Sequence, residues 1–163
     1  MNQPVRGDHP IVGTWRLTSF TEVNRDTGAI SYPLGGEPNA MVTYAADGYA
    51  ATIFTSTDRQ PPAVAQATDE EAIRLFRSMV AFAGRYELDG DKLIYRPETS
   101  WNEAWNGTTQ ERLFEIDGDC LRVRSAPALS TLTGARTGLL AGVEPHQMIK
   151  PAPPWAWADA VRW

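Results

Sequence analysis

Apolar and polar residues alternate in short runs along most of the chain, and turn-forming sequences punctuate the runs: NRDTG at 24–28, AADG at 45–48, LDGD at 88–91, WNG at 105–107 and IDGD at 116–119. Asp-Gly and Asn-Gly pairs tolerate the positive φ angles of tight hairpins, so each marks a chain reversal between two strands. The pattern predicts strands over 12–22, 29–34, 40–46, 49–57, 80–88, 92–101, 108–116 and 120–126, with one or two more between 136 and the end. One stretch has a different period. TDEEAIRLFRSMVAF, residues 68–82, places Ala72, Leu75, Phe76, Met79 and Phe82 near helical spacing, and Thr68 with Glu71 forms a capping-box sequence. A single amphipathic helix around 68–80 is expected. It follows the Pro61-Pro62 loop and either packs on the sheet or covers something.

A succession of hairpins with a single helix must deal with its exposed strand edges, which small all-β domains do by forming a sandwich or closing a barrel. IVGTWRLTSF, residues 11–20, favours the barrel. Trp15 stands near the start of the first strand, and an indole needs enclosure on several sides and a partner for its N–H. The closed end of a barrel provides both.

Composition adds limits. A length of 163 residues fits one domain, and 42% hydrophobic with 21% charged residues belongs to an ordinary globular chain. No apolar run reaches the roughly 18 residues of a spanning helix, and MNQPVRGDHP lacks the apolar stretch of a secretory signal, so a cytoplasmic location is expected. The single cysteine, Cys120, excludes an internal disulfide. The net charge of −5 arises from acidic and basic residues mixed along the chain, without a Lys/Arg block for nucleic acid or an anionic membrane surface.

Four segments in order carry a family resemblance: IVGTWRLTSF, MVTYAADGYAATIF, AFAGRYELDGDKL and ERLFEIDGDCLRV. Together they resemble the bacterial and fungal lipocalin-like domain family over roughly residues 11–125, and the stretch 127–163 diverges from it. The resemblance implies a single antiparallel lipocalin-like β-barrel, of eight to ten strands on the present reading, spanning residues 1–163 around an internal cavity. It also implies an Arg from a late strand packed across the opening Trp, with Arg112 at the matching position. The family comprises small-molecule binders and cofactor-free enzymes, so the fold leaves the activity open.

Strand alternation points Val42, Tyr44, Thr52, Phe54, Phe82, Tyr86, Tyr95, Arg112, Phe114, Leu121 and Val123 into the barrel. Rings, hydroxyls and one guanidinium suit a pocket better than a core packed only for stability. PETSWNEAWNG sets Trp101 and Trp105 around Glu103 and just after Glu98, close to a hairpin end where a barrel mouth lies. These residues either clamp a ligand, with a carboxyl made more basic by an adjacent indole, or form ordinary rim packing. Leu93, Tyr95 and Pro97 are the more apolar face of that strand, which turns Glu98 outward unless a bulge intervenes at Pro97. With Tyr86 inside, Arg85 and Glu87 face out and pair across strands.

His9 and His146 are far apart, and no pair has metal-ligand spacing, so neither a metal nor another cofactor is expected. His146 is either a solvated loop residue or a base at the mouth. The chain lacks a G-x-S-x-G elbow, a phosphate-binding loop and a G-x-G-x-x-G turn. WAWADAVRW at the end supplies either a final strand or an apolar patch for a partner subunit, and a homodimer is compatible with both.

Two functions remain. In the first, a cofactor-free enzyme holds a mostly apolar, polyketide- or terpenoid-like molecule and isomerises, cyclises, hydrates or dehydrates it. Tyr86, Tyr95, Glu98 or Glu103 would move the proton, and the walls would be Tyr44, Thr52, Phe54, Phe82, Trp101, Trp105, Arg112 and Phe114. In the second, the same barrel is a non-catalytic carrier or sensor of a small hydrophobic or aromatic ligand.

Overall fold

The computed structural model describes residues 7–126, 128–130, 132–133, 136–137 and 146–149. The alternating runs form strands close to where the sequence places them. They are β1 (Gly13–Leu17), β2 (Glu22–Val23), β3 (Ile30–Ser31), β4 (Asn39–Tyr44), β5 (Tyr49–Thr55), β6 (Met79–Asp89), β7 (Lys92–Ser100), β8 (Gln110–Asp117), β9 (Cys120–Ser125), β10 (Ala128–Leu129), β11 (Arg136–Thr137) and β12 (His146–Ile149). Eight of them close into an antiparallel barrel in the order β1-β12-β9-β8-β7-β6-β5-β4. β2 pairs with β3, and β10 with β11, as separate two-stranded ribbons. The expected 12–22 strand is therefore two pieces, broken after Leu17.

Turn chemistry sets the hairpins. Gly48 adopts φ 85° in the AADG turn, which any side chain would strain, and its carbonyl accepts the Tyr86 N–H at 2.8 Å. On β8 every second residue is shielded: Gln110, Arg112, Phe114 and Ile116 face in, while Glu111, Leu113, Glu115 and Asp117 are exposed.

One end of the barrel is packed solid. Trp15, Ile11, Leu93 and Leu121 are fully buried there with Tyr86 almost so, and Phe114, Ile116 and Leu88 pack against them. The Trp15 indole N–H donates to the Ile11 carbonyl at 2.7 Å, which supplies the partner a buried indole requires. The segment before β1 is fixed by its own bonds, since the Ile11 N–H donates to His9 Nδ1 at 3.2 Å and the His9 ring sits edge-on to Phe114.

The helix α1 (Asp69–Arg77) carries the capping box read from the sequence: Thr68 Oγ1 accepts the Glu71 N–H and the Glu71 carboxylate accepts the Thr68 N–H. None of its residues is buried, and Ile73 and Phe76 are about half exposed. Its apolar side does not pack on the sheet core; Phe76 instead lies 6.4 Å from the Trp101 ring.

A β-bulge separates the two halves of the β6–β7 ladder, where Ala83 opposes Thr99 but Gly84 opposes Pro97, leaving Glu98 as the extra residue. The bulge presses backbone onto Gly84. A Cβ there would stand 2.2 Å from the Arg96 carbonyl oxygen and 2.7 Å from the Glu98 nitrogen. Neither atom belongs to a flexible side chain, so Gly84→Ala should destabilise the barrel by about 3 kcal/mol or more, read as a lowered midpoint in denaturant.

Candidate functional site

Beyond the Trp15 layer the interior is hollow. A cavity of about 590 Å³ runs toward the end where the β1–β4, β5–β6 and β7–β8 connections lie. Its walls are Val42 and Tyr44 from β4, Thr52 and Phe54 from β5, Val80 and Phe82 from β6, Tyr95 from β7, Arg112 from β8 and Val123 from β9. Inward alternation on neighbouring strands brings these side chains together from six elements. Leu17, Phe20, Trp105 and Leu132 extend the apolar wall toward the mouth.

Aromatic rings form a continuous path. Trp101 meets Trp105 edge-on at 4.9 Å, Trp105 lies 5.6 Å from Phe82, Phe82 lies 5.3 Å from Tyr95, and Tyr95 stacks on Tyr44 at 6.2 Å. Trp105 owes its position to a short 3₁₀ turn, Glu103–Trp105. The Asn102 side chain accepts the Ala104 N–H, and the Thr108 hydroxyl donates to the Trp105 carbonyl at 2.7 Å.

Besides Tyr44, Tyr95, Thr52 and Arg112, the cavity carries two carboxylates, Glu22 and Glu111. The hydroxyls of Tyr44 and Tyr95 share a hydrogen bond. Burial pushes Tyr95 up to about 12, partly offset by the Tyr44 hydrogen bond and the positive field of Arg112. Burial also raises Tyr44 well above its ordinary value, and the Tyr95 neighbour raises it further. Both phenols are therefore neutral near pH 7. Arg112 donates to the Glu111 carbonyl at 2.8 Å and to Gln110 Oε1 at 3.3 Å. Among the described residues no carboxylate forms an ion pair with it: the four such pairs are Arg85 with Glu98, Lys92 with Glu111, Arg96 with Glu87 and Arg122 with Glu115. Burial pulls its pKa down from the usual value, though a guanidinium stays protonated. Thr52 is 3% exposed and its hydroxyl has no hydrogen-bond partner among the described residues.

The residues expected at the site thus divide into groups. Tyr44, Thr52, Phe54, Phe82, Tyr95, Trp105 and Arg112 line the cavity, with Trp101 edge-on to Trp105 outside it. Tyr86 and Phe114 face inward but belong to the packed end, where the Tyr86 hydroxyl donates to the Ala45 carbonyl at 2.9 Å. Glu98 is outside the barrel despite the bulge, 3.5 Å from Arg85 Nε, and Arg96 pairs with Glu87 at 3.6 Å, so the outward pairing expected of Arg85 and Glu87 is present. Glu103 is exposed on its turn and does not line the cavity. Gln110, Glu22 and Phe20 are among the cavity residues that had not been anticipated. Gln110 shares the parity of Arg112 and could have been read from it; Glu22 and Phe20 come from a connection without periodicity. Glu22 accepts the Ser130 hydroxyl at 2.6 Å and the Thr133 hydroxyl at 2.9 Å, tying that connection to the segment after β9. The His146 side chain and the WAWADAVRW stretch lie outside the described residues.

Among the described residues no cluster of His, Cys, Asp and Glu is arranged to hold a metal, and no helix is long and apolar enough to cross a membrane. A small antiparallel barrel with one end filled around a tryptophan and a ring-lined hollow at the other has the architecture of a lipocalin-type binding barrel. The chain belongs to the lipocalin-like domain family, whose model matches residues 12–141. A search of curated proteins finds none that matches the chain.

The buried phenols set an alkaline limit on stability. Tyr86 and Tyr95 titrate near about 12 in the folded state, against about 10 when unfolded, so between these values the folded chain holds more protons. Their contribution is complete below pH 10 and is lost as pH rises toward 12. Ultraviolet titration should show Tyr44, Tyr86 and Tyr95 ionising late, and the unfolding midpoint should fall across that range less steeply in Tyr95→Phe.

Proposed function

We propose that the protein binds a mostly apolar small molecule, with ring character, inside the barrel. The observation that carries this reading is the cavity of about 590 Å³ walled by Tyr44, Phe54, Phe82, Tyr95 and Trp105. A volume in this range accommodates a drug-sized molecule, and apolar walls with a few placed polar groups are typical of such pockets. Transport, buffering or sensing of the ligand needs nothing further from the chain.

A second reading, a cofactor-free isomerase, cyclase or lyase acting on a polyketide- or terpenoid-like substrate, draws on the Tyr44–Tyr95 hydroxyl pair beside Arg112. A neutral phenol and a guanidinium at one spot suit an oxyanion that develops during proton transfer. Two carboxylates suggested by the sequence, Glu98 and Glu103, do not line the cavity, and those that do, Glu22 and Glu111, are engaged by Ser130 and Thr133 and by Lys92. Binding is therefore the better supported function.

Fluorescence titration with N-phenyl-naphthylamine, a neutral two-ring probe, tests it. The wild-type protein should enhance the probe's emission with saturable binding, and Trp105→Ala should weaken the affinity about 3- to 10-fold by removing one ring contact. Absence of saturable binding, or binding indifferent to both Trp105→Ala and Phe82→Ala, would reject the cavity as the site.

A further inference from the structure

The hollow is not uniformly apolar: besides the carboxylates of Glu22 and Glu111, engaged by Ser130 and Thr133 and by Lys92, its wall carries three groups able to donate. Arg112 presents a cation at the wall without a carboxylate partner among the described residues, and its two hydrogen bonds, to the Glu111 carbonyl and Gln110 Oε1, go to neutral acceptors. Placing a charge out of water is expensive unless it is compensated, and two neutral acceptors leave the charge itself unmatched. The Tyr44–Tyr95 pair has one hydroxyl proton to spare after its internal hydrogen bond, because two hydroxyls carry two protons and the bond between them uses one. Further round the barrel on β5, the Thr52 hydroxyl is buried with no partner among the described residues and lines the same space. Among the described residues the cavity thus offers a cation outside any ion pair, a spare phenol proton and an unused hydroxyl to whatever occupies it.

From this arrangement we infer that the ligand is an organic acid: a ring-bearing, mostly apolar molecule whose single anionic oxygen group, a carboxylate, phenolate or enolate, is held by Arg112 and Tyr95, with a second polar atom reaching Thr52. This rests on the cavity-binding reading and goes beyond it by fixing the charge of the ligand and the end at which it is anchored. A guanidinium and a phenolic O–H aimed at one oxygen group give charge-assisted hydrogen bonds, about twice as strong as neutral ones. A neutral ligand of the same shape would leave the guanidinium uncompensated.

Displacement of bound N-phenyl-naphthylamine by naphthoate and by naphthylmethanol compares an acid with a neutral molecule of the same ring system, and the wild-type protein alone gives the answer. Naphthoate should compete about tenfold or more better than the alcohol near neutral pH, as expected of one well-formed charge-assisted contact. In Arg112→Met the ratio of the two affinities should fall toward one, and Arg112→Lys should restore part of it. Equal competition by the two, or preference for the alcohol, in wild-type protein that binds the probe would overturn the inference and leave the binding reading intact. An acid preference that persists undiminished in Arg112→Met would overturn it as well, by placing the anchor elsewhere. Failure of the wild-type protein to bind the probe at all would remove the cavity reading and this inference together.

Discussion

The enclosure of Trp15 is the constraint on which the rest of the molecule depends. A fully buried indole whose N–H donates to the Ile11 carbonyl needs walls on every side, and those walls include Leu93, Leu121 and Tyr86, drawn from strands far apart in sequence. Once they have converged, the strands carrying them are committed to a cylinder. Beyond this layer β6 and β9 continue with Phe82 and Val123, and with Thr52 and Phe54 of β5 these line the hollow rather than fill it. The hollow exists because the filled end holds the wall open.

Polar atoms are distributed unequally between the two ends. In the filled end each hydroxyl or indole N–H named above has a partner: Trp15 with Ile11, Tyr86 with Ala45. In the hollow end Thr52 has none and Arg112 lacks a counter-charge among the described residues. Buried polar groups in folded proteins are nearly always satisfied, so an unsatisfied hydroxyl on the cavity wall calls for an explanation. The outer face follows the ordinary rule for exposed charges, with Arg85–Glu98 and Arg96–Glu87 pairs that contribute little to stability.

Much of this was legible in the sequence because strands encode direction in a period of two. Arg112 was assigned to the interior together with Phe114 by strand alternation, and Arg85 to the exterior with Glu87; both assignments match the structure. The same period says nothing about height along the barrel axis, which is set by the stagger between strands. Tyr86 and Phe114 were therefore placed inside correctly but grouped with the site, although they sit in the filled end. Glu98 and Glu103 misled for a different reason: proximity to tryptophans in sequence is not proximity in space. The bulge opposite Gly84 buries Pro97 and leaves Glu98 outside, while the 3₁₀ turn sends Trp105 inward and Glu103 outward. Phe20 and Glu22 belong to a connection whose path is dictated by tertiary contacts with Ser130 and Thr133, for which no local pattern exists.

The helix between β5 and β6 interrupts two strands that already pair directly, from Thr55 opposite Met79 to Tyr49 opposite Arg85. Topologically it is an excursion from a hairpin, stabilised by its own capping box and contributing no side chain to the core. An insertion of this kind is modular. Its length and composition are free to diverge while the cylinder stays the same, so one scaffold can present differently shaped entrances to different guests without re-engineering its interior.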